Sequence, residues 1–223
     1  SLSEGIGSVT YDVAKPHHTC TLHGATIAWG ALANGTPYVD LTPTTPDWID
    51  CPAADTSDLD FTAGDFSMAI WVNPDNLPPS GFGLLFRGLS ATDGWRFDVD
   101  NTGRVFVATF QAAAEQLSIS TNWIVAVGEW RLISISRNGS SIRIYSNGID
   151  RLSGPNSLVG NHINPASANR DLRIGIINPG FVDPDFNEGI NGKIGRLPRI
   201  WGKALSAEEH HELWNCERKA FNV

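Results

Sequence analysis

Short apolar runs separated by turn residues fill the chain from residue 65 onward, and this pattern constrains the fold more than any other feature. The clearest example is the alternating run Trp130–Ser136, which is followed by a turn at Asn138–Gly139 and a returning run at Ser141–Tyr145. Alternation with a period of two places one face of a strand in a core. The chain is therefore predicted to contain antiparallel hairpins packed as a sandwich.

The remaining strands are predicted from the same signals. Gly83–Arg87 and Trp95–Val99 are predicted neighbours, and a turn at Asp100–Gly103 leads into a further strand at Arg104–Phe110. Such a meander is typical of all-β folds. Pro198 interrupts a late apolar run, which predicts an edge strand or a bulge there, because proline has no N–H to donate to a ladder.

A helix is predicted at one place, near the end of the chain. Ser206 is a good N-cap, Glu209 completes a capping box, and acidic residues occupy the first turn. The predicted fold class is thus all-β, a two-sheet antiparallel β-sandwich or jelly roll with one short C-terminal helix.

Composition excludes several partners. Of the 223 residues, 41% are hydrophobic and 18% are charged, as in an ordinary globular protein, and the formal net charge is −8. Without a run of Lys or Arg, nucleic acid is a poor partner. No apolar stretch approaches the roughly 20 residues of a membrane-spanning helix, so no membrane insertion is expected.

The three cysteines, Cys20, Cys51 and Cys216, are an odd count at wide spacing. This spacing fits neither a disulfide framework nor a close-spaced zinc motif. Cys20 and Cys51 could pair with each other, but free buried thiols are the favoured interpretation.

Four passages together resemble the laminin G-like jelly rolls of the concanavalin A-like lectin/glucanase superfamily. They are Glu4–Gly7 with Tyr11–Asp12, Leu59–Thr62 with Asp65–Val72, Trp130–Arg137 with Tyr145–Gly148, and Asn191–Ile194 with Arg199–Glu209. The resemblance spans almost the whole chain and implies a single domain over residues 1–223. Members of this family usually open with a longer apolar strand than Ser1–Ser3 provides, so the domain is expected to be a module of a longer chain.

The resemblance also suggests a search for catalytic carboxylates, because related glucanases use two on one strand. The nearest match is Asp183 and Asp185, but Pro184 and the glycines nearby indicate a loop rather than a central strand. A catalytic site requires rigid support. The chain is therefore predicted not to be an enzyme, and a glycoside hydrolase is the least favoured alternative.

Calcium is the one cofactor that the sequence suggests. Asp183, Asp185, Asn187 and Glu188 offer hard oxygen ligands within a few residues. The resemblance to laminin G-like modules adds Asp12 as a candidate ligand. The same resemblance counts against the site at another position, because family members usually carry an Asp after the closing Ile and this chain has Gly195 there.

Tryptophan supplies the candidate ligand contacts. The chain has eight tryptophans, more than one core usually absorbs, and Trp29, Trp48, Trp95 and Trp123 lie at or beside predicted loops. An exposed indole can stack on a sugar face or anchor a protein interface. Trp48 and Trp95, each beside an Asp, are the first candidates for a glycan platform.

These features predict a non-catalytic recognition or adhesion module, extracellular, that binds a glycan or a protein surface through loops at one end of the sandwich. The alternative is a structural component of a virus or phage particle, such as a decoration, fibre or spike domain at the virion surface, assembled into a larger complex.

Overall fold

The structure is a computed structural model that describes residues 6–11, 18–42, 47–177 and 189–223. In chain order its strands are β1 Val9–Tyr11, β2 Thr19–His23, β3 Ala28–Ala31, β4 Pro37–Leu41, β5 Trp48–Cys51, β6 Phe66–Pro74, β7 Phe82–Leu89, β8 Asp93–Val99, β9 Val105–Gln111, β10 Ala114–Ile119, β11 Arg131–Asn138, β12 Ser141–Ser146, β13 Ile149–Asp150, β14 Leu172–Ile174 and β15 Gly192–Trp201. The helix α1 Ala207–Glu217 follows them and is continued by a 3-10 turn at Arg218–Phe221.

The strands form two antiparallel sheets, which confirms the predicted jelly-roll sandwich. Within the described residues, sheet A has eight strands in the order β1-β2-β5-β14-β7-β8-β9-β10, and sheet B has seven in the order β13-β12-β11-β6-β15-β4-β3. The predicted hairpin is β11–β12, with Ile135 opposite Ile144, and the predicted meander is β7–β8–β9. Alternating side chains such as Ile70, Ile133 and Val107 fill the space between the sheets.

The two ends of the sandwich can be defined from the strand register. The upper end contains residues 24–27, 75–81, 100–104 and 120–130, and the lower end contains residues 52–65, 89–92 and 164–171. Residues 120–130 pass from the end of β10 in sheet A to the start of β11 in sheet B. This crossing segment therefore spans both layers at the upper end.

The C-terminal helix forms where it was predicted, with both hydrogen bonds of the Ser206–Glu209 capping box. It packs with the 3-10 turn on the outer face of sheet B. Phe221 stacks on Trp71 with ring centroids 4.1 Å apart, and Nε1 of Trp71 donates to Glu217 (2.7 Å). Among the described residues, none of the helices has the length and apolar character that crossing a bilayer requires.

Pro198 lies in a bulge of a central strand. β15 pairs with β6 on one side and β4 on the other, and its register with β6 shifts between Gly195 and Arg199. The bulge alternative is therefore the correct one. It turns Arg199 toward the helix, where its guanidinium contacts the carboxylate of Glu217.

Cys20 and Cys51 form a disulfide bond, so the expectation of free buried thiols is wrong for this pair. Strands β2 and β5 pair so that Leu22 lies opposite Ile49 and Thr21 opposite Asp50, which brings the two cysteines face to face on the inner side. The spacing of the two cysteines along the chain does not indicate how β2 pairs with β5. Cys216 is free and exposed.

Candidate functional site

Trp95, a first candidate for a glycan platform, is buried in the core with 1% of its surface exposed. Its ring packs beside Phe61 and Phe66, and its Nε1 donates to the backbone oxygen of Leu59 (2.8 Å). This position corrects the expectation that the ring meets a ligand. Alternation along β8 indicated that one face is buried but did not indicate which one.

Trp29 lies on β3, at one edge of sheet B. Its Nε1 donates to the backbone oxygen of Gly7 (2.9 Å), just before β1 at the edge of sheet A, and its ring packs against the core. The indole therefore joins the two sheets at this side of the sandwich, which is a structural role.

Trp48 is part of a polar cluster on the outer face of sheet A, where β2, β5 and β14 run side by side. His23 lies opposite Trp48 in the register, and the two rings stack with centroids 5.0 Å apart and an angle of 12°. The guanidinium carbon of Arg173 lies 5.5 Å from the indole centroid. Asp50, two residues after Trp48, contacts Nε2 of His23. We call these four residues the Trp48 cluster.

Sequence reasoning missed His23 and Arg173 as members of this cluster. His23 faces outward in the same alternation as Trp48, a signal that was available once β2 and β5 were paired. Arg173 is 125 positions further along the chain than Trp48, and it reaches the cluster because β14 inserts between β5 and β7. That strand order is not written in any local pattern.

Trp123 is the most exposed of the four predicted tryptophans, with 76% of its surface accessible. It lies in the crossing segment at the upper end, and its φ is +59°. A left-handed backbone costs a residue with a Cβ roughly 1–2 kcal/mol. An exposed indole held in this conformation gains nothing from core packing, so the surrounding structure must maintain it.

The neighbouring turn holds the Trp123 backbone in place. The N–H of Trp123 donates to the backbone oxygen of Thr102 (3.2 Å), and the N–H groups of Ile124 and Val125 both donate to Gly103 (3.0 and 3.1 Å). A Cβ on Gly103 would lie 2.2 Å from the oxygen of Val125, so glycine is required for this close approach. The crossing segment and the turn are thus one rigid unit.

Asp100 organises that turn. Its Oδ1 accepts hydrogen bonds from the N–H of Thr102 (2.8 Å) and the N–H of Arg104 (2.9 Å), and its Oδ2 pairs with the Arg104 side chain (2.7 Å). Burial would raise the pKa of Asp100, but the hydrogen bonds from Arg104 and Thr102 lower it overall. The carboxylate therefore stays ionised and continues to accept the hydrogen bonds that hold the turn next to Trp123.

The surface around Trp123 combines apolar and polar groups. Val127, four residues later, is 52% exposed, and Asn101 is exposed on the supporting turn. An exposed indole bordered by an exposed amide, that of Asn101, is suited to a ligand that has both apolar and hydroxylated faces.

The predicted calcium ligands Asp12, Asp183, Asp185, Asn187 and Glu188 all lie outside the described residues. So does the Asp183–Asp185 pair that was considered for catalysis. Within residues 6–11, 18–42, 47–177 and 189–223, no group of three or more His, Cys, Asp or Glu side chains is arranged to hold a metal ion. Calcium binding stays a prediction.

Solved structures share this architecture. The binding domain of Paraclostridial Mosquitocidal Protein 1 superposes with a TM-score of 0.70 at 15% identity, covering 96% of this chain and 51% of that one. A structure of botulinum neurotoxin type C, which interacts with two ganglioside molecules, gives 0.69 at 13% identity, covering 97% and 51%. The binding domain of botulinum neurotoxin DC in complex with rat synaptotagmin II gives 0.66 at 13% identity, covering 96% and 50%.

These likenesses establish the fold, and the chain spans about half the length of the structures it matches. No curated protein sequence matches the chain significantly. A laminin G-type family model, described as the concanavalin A-like lectin/glucanases superfamily, matches residues 50–209, which run from β5 into α1. The match covers more than half of the chain and agrees with the two-sheet topology. The chain therefore belongs to the concanavalin A-like lectin/glucanase superfamily.

Proposed function

We propose that this protein is a non-catalytic, extracellular recognition module that binds a glycan through the upper end of the sandwich, with Trp123 as the stacking residue. The observation that carries the proposal is the 76% exposure of an indole whose backbone is held at a φ of +59°. Backbone strain of this kind clusters at functional sites, and here it is combined with an exposed aromatic side chain.

The chemistry of the site favours a sugar. The indole offers a flat apolar face to the C–H groups of a sugar ring, while the exposed amide of Asn101 can exchange hydrogen bonds with its hydroxyls. The Asp100 turn fixes the backbone that carries the indole before the ligand arrives, which reduces the ordering cost of binding.

The solved neighbours support the same class of function. Botulinum neurotoxin type C interacts with gangliosides, and botulinum neurotoxin DC binding domains have been solved with SialylT and with synaptotagmin II. These partners belong to those toxins, whose chains are about twice as long as the matched part. They support recognition rather than catalysis as the role of this fold here.

An extracellular location is supported by the Cys20–Cys51 disulfide, because such bonds persist in oxidising compartments. The virion alternative stays a prediction from the sequence, without a structural observation that favours it.

The experiment is a glycan-array screen of the purified protein, in millimolar calcium and with a chelator, followed by the same screen on Trp123→Ala. The proposal predicts hits that disappear in Trp123→Ala while the melting temperature is unchanged. Ile149→Ala removes another exposed apolar side chain and is the matched control, expected to bind normally. A blank array, or hits that survive in Trp123→Ala, would contradict the proposal; hits that also require calcium would support a metal-dependent glycan site.

A further inference from the structure

Residues 153–164, which we call the strap, run along one side of the sandwich beside β10, the last strand in the order of sheet A. Leu158 pairs with Ile119 of β10 through two backbone hydrogen bonds of 2.9 Å. A Cβ on Gly160 would lie 2.3 Å from the backbone oxygen of Leu117, so glycine permits the close approach of the strap to β10. The strap therefore continues sheet A beyond β10.

His162 holds the strap from inside the protein. It is the one buried residue among residues 153–164, with 1% of its surface exposed. Its Nδ1 lies 3.0 Å from Oγ1 of Thr109 and its Nε2 lies 2.8 Å from Oγ of Ser118, so both ring nitrogens are hydrogen-bonded. The strap is thus fixed by a polar side chain rather than by apolar side chains in the core.

The aliphatic side chains of the strap face solvent instead. Leu158, Val159 and Ile163 are 47%, 56% and 50% exposed. Single exposed aliphatic side chains are common on protein surfaces, but a group of them on one segment marks an interaction surface. Because the inward position is taken by His162, these three side chains can be buried fully only by a partner.

The backbone N–H groups alternate along the strap. Every second one is bonded inward, to Ile119, Ser118 and Ser140 in turn: those of Leu158, Gly160 and His162. Within the described part of the chain, the N–H groups that follow each of these have no acceptor: those of Val159, Asn161 and Ile163. The carbonyl of Ile163 accepts only a long hydrogen bond from Gln111 (3.4 Å). This is the alternation of an edge strand, and a row of free N–H groups is a template on which another strand can pair.

The strap carries no ionised side chain that would keep a second copy away. Residues 152–169 contain no Asp, Glu, Lys or Arg, in a chain of which 18% is charged and whose net charge is −8. Natural proteins commonly protect an open edge with charged side chains, and this edge lacks them. The net charge makes two copies repel each other. The charge distribution therefore favours the strap as the face on which two copies meet.

The pattern of the strap is also complementary to itself. When two straps pair antiparallel about a twofold axis at Asn161, Val159 of each copy lies opposite Ile163 of the other, and Asn161 lies opposite Asn161. Apolar side chains then meet apolar side chains, and amide meets amide. The free N–H groups of each copy face the backbone of the other.

We infer that the strap is the interface of a homodimer, in which two copies of this chain pair their straps antiparallel about a twofold axis at Asn161. The pairing joins sheet A of one copy to sheet A of the other and covers the exposed aliphatic side chains. The strap lies along the side of the sandwich, and the inference does not rest on the proposed role of Trp123.

Sedimentation velocity of the purified protein at increasing concentration is the first test. The parent is expected to pass from 24.1 kDa to twice that mass as the concentration rises. Asn161→Asp places two carboxylates directly opposite each other and is expected to weaken the dimer at least about tenfold. Asn222→Asp makes the same change of charge at an exposed asparagine after the 3-10 turn and is the matched control, expected to dimerise as the parent does. Melting temperatures establish that both variants are folded.

A cross-link tests the register of the two straps. Cys216 is first replaced in a Cys216→Ser background, because it is free and exposed. In that background Asn161→Cys places two thiols on opposed residues whose Cα atoms are about 5.5 Å apart, which is within the range for a disulfide. Mild oxidation is expected to give a covalent dimer on a non-reducing gel. Ser153→Cys, exposed near the start of the strap, is the control and is expected to stay uncross-linked, because the antiparallel register separates the two copies of this residue.

The inference is overturned if the parent remains monomeric up to about 0.5 mM, since the second copy is then not the occupant of the open edge. It is also overturned if Asn161→Asp dimerises as tightly as the parent, or if Ser153→Cys cross-links as readily as Asn161→Cys. Trp123→Ala is expected to dimerise normally, so failure here is distinguishable from failure of the proposed function.

Discussion

The two ends of the sandwich differ in which kind of large side chain they bury and which they expose. At the lower end a large polar side chain, Arg87, is buried and fully engaged, and its partners join residues 52–65 and 164–171 to β7. At the upper end a large apolar side chain, Trp123, is exposed on a strained backbone. The usual placement of polar and apolar groups is reversed at both ends. The lower end stabilises the fold, and the upper end presents a surface.

The largest expected effect comes from Arg87→Ala. Removing Arg87 leaves the Asp60 carboxylate without its cation and two backbone oxygens without their donor, so the free energy of unfolding should fall by about 3–5 kcal/mol. Urea unfolding measures this change. Arg143→Ala, at an exposed pair, should cost less than about 1 kcal/mol. Comparable losses in the two variants would mean that the lower end is not the stabilising one.

Acidification should have the next largest effect. Burial lowers the pKa of His162 and of His210 to about 4, because each imidazole lies among packed side chains. The neighbouring Arg137 lowers the pKa of His162 further, whereas Glu209 partly opposes the shift in His210. The unfolded chain therefore binds protons that the folded chain does not between pH 6.5 and about 4.

Stability contributed by these neutral histidines is present above pH 6.5 and is lost as the pH falls toward 4. At pH 5 the loss should be about 2 kcal/mol for each histidine. Urea unfolding above pH 6.5 and at pH 5 measures this loss of unfolding free energy, and His162→Gln should make the free energy depend less on pH. The lowered pKa of Asp100 keeps the upper-end turn intact in this range, so glycan binding should persist until the chain unfolds. Equal stability at both pH values would contradict the claim that His162 and His210 are held neutral in the folded protein.

Asp100→Ala tests the upper end itself. It removes the acceptor of the turn beneath Trp123, so it should cost about 1–2 kcal/mol of stability. Glycan affinity should fall about tenfold, because the backbone that carries the indole is no longer held in place. Isothermal titration measures the affinity. Glu129→Ala removes an exposed carboxylate from the same crossing segment and should change neither quantity much. An unchanged affinity in Asp100→Ala would show that the turn does not position Trp123.

The sequence predicted the regular parts of this fold because their signals are local. The β11–β12 hairpin follows from alternation around Asn138–Gly139, and the helix follows from the capping box at Ser206 and Glu209. The Cys20–Cys51 bond could not be predicted in the same way, because it depends on the register of β2 against β5.

The candidate site was predicted by residue type but not by exposure. Trp95 and Trp123 both lie at or beside predicted loops, yet Trp95 is buried and Trp123 is exposed. Alternation shows which residues of a strand share a face, and only the assembled sheets show which face meets solvent. Arg173 was missed because strand order, which has no local signal, brings β14 beside β5.

The most direct test of the central claim is a parallel measurement of unfolding free energy and glycan affinity in Trp123→Gly and Arg87→Ala. Glycine tolerates the positive φ, so Trp123→Gly should keep its stability or gain up to about 1 kcal/mol while losing binding. Arg87→Ala should lose stability while its folded fraction binds with parental affinity. If Trp123→Gly unfolds more easily and still binds, Trp123 is a structural residue and the division between the two ends is wrong.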